Sequence, residues 1–163
     1  MDILAAQVGA LLKSHGLMLA TAESCTGGGV AQAITEIAGS SAWFDRGFVT
    51  YSNLAKQQML GVSEATLKQH GAVSEATVRE MAAGALQHSA AQVALAVSGI
   101  AGPDGGTAEQ PVGTVWFAWG LKNGETHAQR YQLSGNRAEV REQAVCIALQ
   151  GVINFMNKLT KIT

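Results

Sequence analysis

The sequence predicts an α/β fold: a three-layer α/β/α single domain with a mixed, mostly parallel sheet and a late antiparallel hairpin. One observation is the alternation of short apolar runs with helical segments, which is typical of strands joined by crossover helices. Another is the turn at Asn123 and Gly124, a strong hairpin signal between two strand-like segments. With 163 residues, 47% of them hydrophobic, the chain is long enough to fill one core.

The elements of the first part of the chain follow from apolar spacing and from residues that begin or end helices. Apolar residues recur at helical intervals in some segments, whereas continuous apolar runs indicate buried strands. Polar side chains are expected at helix starts and glycines at helix ends. In order, we predict a helix capped by Asp2 and ended at Gly16, a strand over 17–22, a helix over 28–39, a strand over 43–51 and a helix capped by Asn53 and ended near Gly61.

The second part of the chain begins with two similar helix starts. Ser63 and Ser74 each precede an acidic residue, in "VSEATLKQHG" and "VSEATVREMA", and we interpret both as N-caps rather than as a duplication. The final helix is more apolar than one buried stripe requires, so we expect a homo-oligomer, with a dimer favoured. After the helix at Ser63 we predict a helix from Ser74 through Ala90, a strand over 92–99, a loop over 100–113, strands over 114–120 and 125–135, and a helix from Asn136 to about Leu159.

Composition excludes several function classes. Eleven basic and 12 acidic residues give a formal net charge of -1, which favours neither nucleic acid nor an anionic membrane as a partner. The two cysteines, Cys25 and Cys146, are too few for a disulfide framework, and no Cys/His spacing is typical of a metal site. The N-terminus has no signal-peptide pattern, and no apolar run approaches a membrane span. We therefore expect a cytoplasmic protein without a metal or cofactor.

The stretch "TAESCTGGGVAQ", residues 21–32, is the first candidate for chemistry. A strand followed by a Gly-rich turn into a helix directs unpaired N–H groups at whatever occupies the turn. These donors could hold a phosphate or the oxyanion of an acyl-transfer reaction. The alternative is a helix start that merely needs small residues, with Ser24 or Thr26 as its cap. The spacing fits neither a Walker loop nor a dinucleotide-binding fingerprint.

Three hydroxyl or thiol groups of this turn, those of Ser24, Cys25 and Thr26, compete for the role of nucleophile. Cys25 is intrinsically the stronger attacker, but none of the four histidines is placed as its base. Ser24 would need a base, and Lys56 could serve, because the start of a helix and burial both disfavour its charged form. Tyr51, at the end of the preceding strand, could hydrogen-bond the lysine or the serine. Spacing alone does not bring these three residues together.

Several motifs occur in one order along the chain: "ATAESCTGG", "YSNLAKQQMLGV", "GAVSEATVREMAAGA", "VSGIAGPDGG" and "PVGTVWFA". Together they resemble the CinA C-terminal domain family over about residues 10–155. The resemblance implies a three-layer α/β/α domain, 1–163, without the upstream domain of longer members. It also implies hydrolysis of nicotinamide mononucleotide, a small-molecule substrate, to nicotinate mononucleotide and ammonia. The catalytic set that it implies is Ser24, Tyr51 and Lys56.

The remaining residues of the expected site surround this set. N–H groups of Thr26, Gly27 and Gly28 are expected to stabilise the oxyanion. The loop from Ser98 to Gly106 allows close backbone approach to a phosphate or ribose. Two arginines one turn apart could clamp the 5′-phosphate or pair with neighbouring glutamates. A non-catalytic nucleotide-binding or partner-binding module and a Cys25-dependent amidase are the alternative functions. The expected substrate-binding residues are Ser98, Gly99, Gly102, Gly105, Gly106, Arg137 and Arg141.

Overall fold

A computed structural model describes the backbone of residues 1–162 and the side chains of residues 1–159. Within that part of the chain, six α-helices and one 3₁₀ turn surround a five-stranded sheet, so the predicted three-layer α/β/α fold is confirmed. In chain order the elements are α1 Asp2–Ser14, β1 Leu19–Glu23, α2 Gly29–Thr35, the 3₁₀ turn Ser40–Ala42, β2 Phe44–Val49, α3 Asn53–Leu60, α4 Glu64–His70, α5 Glu75–Gln87, β3 Val93–Gly99, β4 Thr114–Leu121, β5 Thr126–Gln132 and α6 Arg137–Ile162.

The sheet is mixed, with strand order β2-β1-β3-β4-β5. β1 lies parallel to both β2 and β3, whereas β4 is antiparallel to β3 and to β5, which forms the late hairpin. The chain leaves β1 for β2 on one side and later reaches β3 on the other. In open α/β sheets the carboxyl edge at such a divergence is where ligands bind. Ser24, directly after β1, lies at this edge.

The two faces of the sheet differ in side-chain size, and this decides how closely helices approach. One face carries large residues such as Leu95 and Phe117 and packs against α1, α2 and α6. The other face carries alanines and packs against α5. Helices α3 and α4 pack in turn against α5. The alanines of this second face are Ala20, Ala22, Ala94, Ala96 and Ala118. Small side chains let α5 lie close to the sheet, and α3, which carries Lys56, is held next to α5.

Several predicted helix ends differ from the structure. Asp2 lies within the first turn of α1 without a capping bond, and the helix ends at Ser14. Ser52, not Asn53, caps α3, because its side chain accepts a hydrogen bond from the Ala55 N–H at 3.0 Å. Cap positions shift by a residue easily, since neighbouring polar side chains compete for the same N–H groups. The predicted 28–39 helix is shorter, ending at Thr35, and the final helix extends beyond Leu159 to Ile162.

The apolar positions of α6 are largely used inside the chain. Val140, Leu149 and Val152 are fully buried, and α6 packs against α1, α2 and the central strands. The apolar content of α6 therefore needs no second subunit to explain it. Among the described helices, none combines the length and apolarity needed to cross a lipid bilayer.

Gly84 fixes the distance between α5 and α3. A Cβ at this position would lie 1.9 Å from the carbonyl oxygen of Leu60, at the end of α3. Gly84→Ala should therefore lower the free energy of unfolding by about 1–3 kcal/mol through overpacking, despite alanine's higher helix propensity. Chemical denaturation measures this, with Ala83→Ser on the exposed side of the same helix as the control. A Gly84→Ala variant as stable as the wild type would contradict this close packing.

Candidate active site

The turn between β1 and α2 places Ser24 at the carboxyl end of the central strand. The Ser24 N–H donates to the Val97 carbonyl at 3.0 Å, and the Gly27 N–H returns to the Ser24 carbonyl at 3.0 Å. Gly27 and Gly28 have φ values of 59° and 99°, a region that glycine adopts without strain. The backbone of the turn therefore requires glycine at these two positions. Ser24 itself is buried.

Lys56 is brought against Ser24 by α3. Its side chain is 1% exposed, and its Nζ lies 2.9 Å from the Ser24 Oγ. The same Nζ donates to the carbonyl of Thr50 at 3.0 Å and to that of Tyr51 at 3.2 Å. Within the described side chains, no carboxylate forms an ion pair with it. Burial lowers the pKa of Lys56 below its ordinary value, an effect that nearby Cys25 only partly opposes.

This geometry suits proton transfer from Ser24 to Lys56. A neutral amine has two N–H donors and one lone pair, whereas an ammonium has three donors and no acceptor. The two carbonyls of Thr50 and Tyr51 accept the two N–H groups of the neutral amine. The lone pair is then left for the Ser24 hydroxyl at 2.9 Å. This arrangement is compatible with a lysine acting as the general base of a serine.

Tyr51 meets this pair through its main chain. Its carbonyl oxygen is 3.5 Å from the Ser24 Oγ and accepts from Lys56. Its side chain is 61% exposed, and the hydroxyl accepts a hydrogen bond from the Arg137 guanidinium at 3.0 Å. The phenol therefore lies at the rim of the site beside an arginine, while the three predicted catalytic residues are neighbours in space.

Sequence reasoning missed Glu23. Its carboxylate is 1% exposed and accepts hydrogen bonds from the N–H groups of Val30 at 2.8 Å and Ala31 at 3.1 Å. It also accepts from the Thr26 hydroxyl at 2.6 Å. Glu23, rather than Ser24 or Thr26, thus takes the place of a side-chain cap for α2, whose N-cap residue is Gly28. A capping carboxylate seven residues before its target lies outside the usual local patterns, although its position directly before the serine was visible.

A cavity of about 300 Å³ opens beside Ser24. The carboxyl ends of β1 and β3, the start of α3 and the loop after β3 surround it. Four of the five predicted loop residues contribute to its wall, and Gly106 does not. Of the turn, Ser24 and Cys25 contribute, whereas Thr26, Gly27 and Gly28 do not. The lining residues are Ser24, Cys25, Tyr51, Asn53, Lys56, Ala72, Val73, Ser98, Gly99, Ile100, Ala101, Gly102, Asp104, Gly105 and Arg137.

The two predicted arginines have different positions. Arg137 lines the cavity and donates to the Gly102 carbonyl at 2.9 Å and to the Tyr51 hydroxyl. Arg141 lies behind the turn, where it donates to the carbonyls of Cys25 at 3.1 Å and Thr26 at 3.3 Å. Arg137 therefore faces the cavity, while Arg141 holds the turn after β1 against α6.

The Cys25 thiol is a weaker candidate for the nucleophile than the Ser24 hydroxyl. Its thiol is 5% exposed, and burial raises its pKa to about 11. The thiol therefore stays protonated at neutral pH, and the thiolate is the nucleophilic form. The four histidines, each exposed, are not among the residues that line the cavity. Through residue 159, no three His, Cys, Asp or Glu side chains are grouped as metal ligands would be.

Fold and site together define an α/β domain with a buried serine and lysine pair at the carboxyl edge of its sheet. The model of the CinA C-terminal domain matches residues 1–156. The chain therefore belongs to the CinA C-terminal domain family.

Relatives and solved structures agree with this assignment. The chain is 62% identical to the nicotinamide-nucleotide amidohydrolase PncC of Escherichia coli K12, over 90% of this chain and 89% of the relative. It is 51% identical to PncC of Pseudomonas putida, over 93% and 94%. The crystal structure of the competence/damage inducible protein CihA from Agrobacterium tumefaciens superposes with a TM-score of 0.92 at 50% identity, covering 96% of this chain and 94% of that one.

Proposed function

We propose that this protein is a nicotinamide-nucleotide amidohydrolase that converts nicotinamide mononucleotide to nicotinate mononucleotide and ammonia. Relatives at 51–62% identity over at least 90% of the chain carry the name of this activity. The observation that carries the mechanism is the buried Lys56 Nζ at 2.9 Å from the Ser24 Oγ. A nucleophile with its base in contact is what hydrolysis of an amide bond by acyl transfer requires.

In the first half-reaction, Lys56 accepts the proton of Ser24 as Oγ attacks the carboxamide carbon. The tetrahedral intermediate collapses when Lys56 returns that proton to the departing nitrogen, so ammonia leaves and a nicotinoyl ester of Ser24 remains. General-base catalysis of this kind contributes about 10²–10⁴-fold in rate. The cationic pyridinium ring already withdraws electrons from the carboxamide, which makes its carbon easier to attack.

In the second half-reaction, water takes the place of the serine. Lys56 accepts a proton from water as its oxygen attacks the ester carbon, then protonates the Ser24 oxygen as the ester breaks. Nicotinate mononucleotide leaves and the neutral amine is regenerated. For the oxyanion we propose the N–H of Cys25, because this residue follows the nucleophile and lines the cavity. The Gly27 N–H is a weaker candidate for this role, because it already donates a hydrogen bond to the Ser24 carbonyl.

The charges around the cavity support a substrate with both a cation and an anion. Arg137 uses two of its five donors on Gly102 and Tyr51, so others remain for the 5′-phosphate. Asp104, on the loop after β3, contributes a carboxylate to the same lining, which suits the pyridinium or the ribose hydroxyls. We propose the phosphate role for Arg137 and a role in holding the turn for Arg141.

Ammonia release from nicotinamide mononucleotide, with nicotinate mononucleotide identified as the second product, tests the function. We expect turnover by the wild type, and by Cys25→Ser at a similar rate, because the thiol is protonated and unused in this mechanism. Folded wild type that binds the nucleotide without releasing ammonia would contradict the amidohydrolase proposal and favour a binding module. Lost turnover in Cys25→Ser, together with inactivation of the wild type by mild thiol alkylation, would favour a thiol enzyme.

The rate should rise with pH as Lys56 loses its proton. As an ammonium, Lys56 donates to Ser24 and both carbonyls and can accept nothing; as an amine it can act as base. Because burial lowers the pKa of Lys56, we expect a single ionisation below 10.5 to govern the rising limb of kcat. A pH profile of kcat measures this, and a flat profile over the range where the protein stays folded would contradict a lysine base.

We propose that the enzyme works in the cytoplasm as a homo-oligomer, most simply a dimer. Cys25 and Cys146 are free thiols, which fits a reducing compartment. Apolar side chains at the edge strand and on α3 remain 41–58% exposed and support a contact between copies; they are Val49, Leu54 and Met59. Sedimentation analysis decides the oligomeric state.

A further inference from the structure

We propose that Glu23 is a positioning residue for the reaction, in that its buried carboxylate holds the turn that directs Ser24 at Lys56. The inference rests on the proposed function, in which Ser24 is the nucleophile. Glu23 does not line the cavity and so does not touch a substrate. Its effect is on the geometry of the Ser24 and Lys56 pair.

The carboxylate of Glu23 is held by hydrogen bonds in place of an ion pair. Its Oε1 accepts from the Thr26 hydroxyl at 2.6 Å and the Val30 N–H at 2.8 Å, and its Oε2 accepts from the Ala31 N–H at 3.1 Å. No cation pairs with it among the described side chains. The positive end of α2 and three donors replace a counter-ion, which is how a carboxylate that is 1% exposed remains tolerable.

Glu23 is linked by the main chain and by hydrogen bonds to the segments that carry Ser24 and orient Lys56. Ser24 follows Glu23 directly, and the Glu23 side chain binds Thr26, two residues after the serine. The Glu23 carbonyl accepts from the Thr50 N–H at 2.8 Å, and the Thr50 carbonyl in turn accepts from the Lys56 Nζ. The turn that carries the nucleophile and the carbonyl that orients the base are therefore fixed to one residue.

The three hydrogen bonds to the Glu23 carboxylate fit glutamate better than glutamine or aspartate. Glutamine at this position has one acceptor oxygen and one NH₂ group, so either Val30 and Thr26 or Ala31 would face a donor. Aspartate is one methylene shorter, so its oxygens would lie farther from the N–H groups of Val30 and Ala31 that Glu23 reaches at 2.8 and 3.1 Å. Glu23→Gln therefore keeps the shape of the side chain and removes one of its hydrogen-bond acceptors.

The test compares Glu23→Gln with the wild type by two readouts at matched folded concentration. One is steady-state ammonia release from nicotinamide mononucleotide. The other is the rate at which an alkyl fluorophosphonate labels Ser24, which reports on the activated serine without depending on the natural substrate. We expect kcat and the labelling rate to fall together by roughly 10²-fold with little change in KM, because a small misplacement of reacting groups costs about that factor.

Glu80→Gln is the matched control. Glu80 also binds the start of a helix, accepting from the Ser63 N–H and the Thr66 hydroxyl of α4, and it is not among the cavity residues. We expect Glu80→Gln to lose stability and keep wild-type kcat and labelling. An equal loss in both variants would overturn the proposal, since it would reflect general destabilisation.

Three further outcomes would contradict the proposal or the function on which it rests. A folded Glu23→Gln with wild-type kcat and labelling overturns the positioning role. If Glu23→Gln does not fold, Thr26→Val removes one of the three donors, and wild-type labelling of that variant overturns the proposal equally. Wild type that is labelled at Ser24 without releasing ammonia would instead overturn the amidohydrolase function, and the labelling comparison would still test Glu23.

Discussion

Ser24→Ala is expected to reduce ammonia release from nicotinamide mononucleotide by roughly 10⁴-fold or more, the range seen when a serine nucleophile is removed. Alanine cannot form the acyl intermediate, and the neighbouring Cys25 thiol cannot replace it, because burial raises its pKa to about 11. The mutation deletes one oxygen from a buried side chain, so the fold should remain. Product formation per folded enzyme measures the effect.

A binding measurement on the same variant distinguishes loss of the nucleophile from loss of a substrate-binding residue. The dissociation constant of the substrate from Ser24→Ala, measured by calorimetry, should lie within a few fold of the wild-type KM. The reason is that the main charged contact proposed for the substrate is Arg137, which this variant keeps. Cys25→Ser serves as the control in the adjacent position. Retained turnover in Ser24→Ala together with lost turnover in Cys25→Ser would transfer the nucleophile role to the thiol.

Lys56→Met is expected to lower kcat by about 10²–10⁴-fold, the usual contribution of a general base. Methionine has a similar length and no polar head, so it fills the space of a side chain that is 1% exposed. It leaves the carbonyls of Thr50 and Tyr51 without their donor and Ser24 without its base. Turnover at the pH optimum of the wild type is the measurement, with Lys68→Met on the exposed end of α4 as the control.

The same variant should also change how stability depends on pH. Because burial lowers the pKa of folded Lys56, the unfolded chain holds this proton to higher pH than the folded chain. Wild-type stability should therefore rise, relative to Lys56→Met, as pH increases from the folded pKa towards 10.5, and level off above it. Denaturation of both proteins across that window gives the difference. A difference that does not vary with pH would contradict a buried lysine with a lowered pKa.

Much of the fold could be predicted, because each element has local signals. Ser63 and Ser74 were predicted as caps, and each accepts a hydrogen bond three residues on, from Thr66 and Thr77. Asn123 has a φ of 59°, and the chain reverses there between the antiparallel strands β4 and β5, as predicted. The errors fall at helix boundaries, at Asn53 for example, where Ser52 offers an equivalent oxygen to the same helix and the sequence contains nothing to rank them.

The candidate site was predictable in its members and not in their arrangement. Ser24 and Lys56 are 32 residues apart, and no local rule states that their side chains meet. Glu23 was overlooked since its partners Val30 and Ala31 come within reach only once the turn has formed. Arg137 and Arg141 look equivalent on a helix, yet one faces the cavity and the other faces the back of the turn.

The sequence by itself determined which segments are helices and strands, that the turn after β1 must be built of glycine, and which side chains could carry the chemistry. These features depend on periodicity, on φ values open to glycine and on the reactivity of single groups. The tertiary structure alone decided that a buried amine lies beside a serine with its other protons held by two carbonyls. That contact depends on a sheet joining distant strands and on burial, which together set the pKa of Lys56 and the direction of its lone pair.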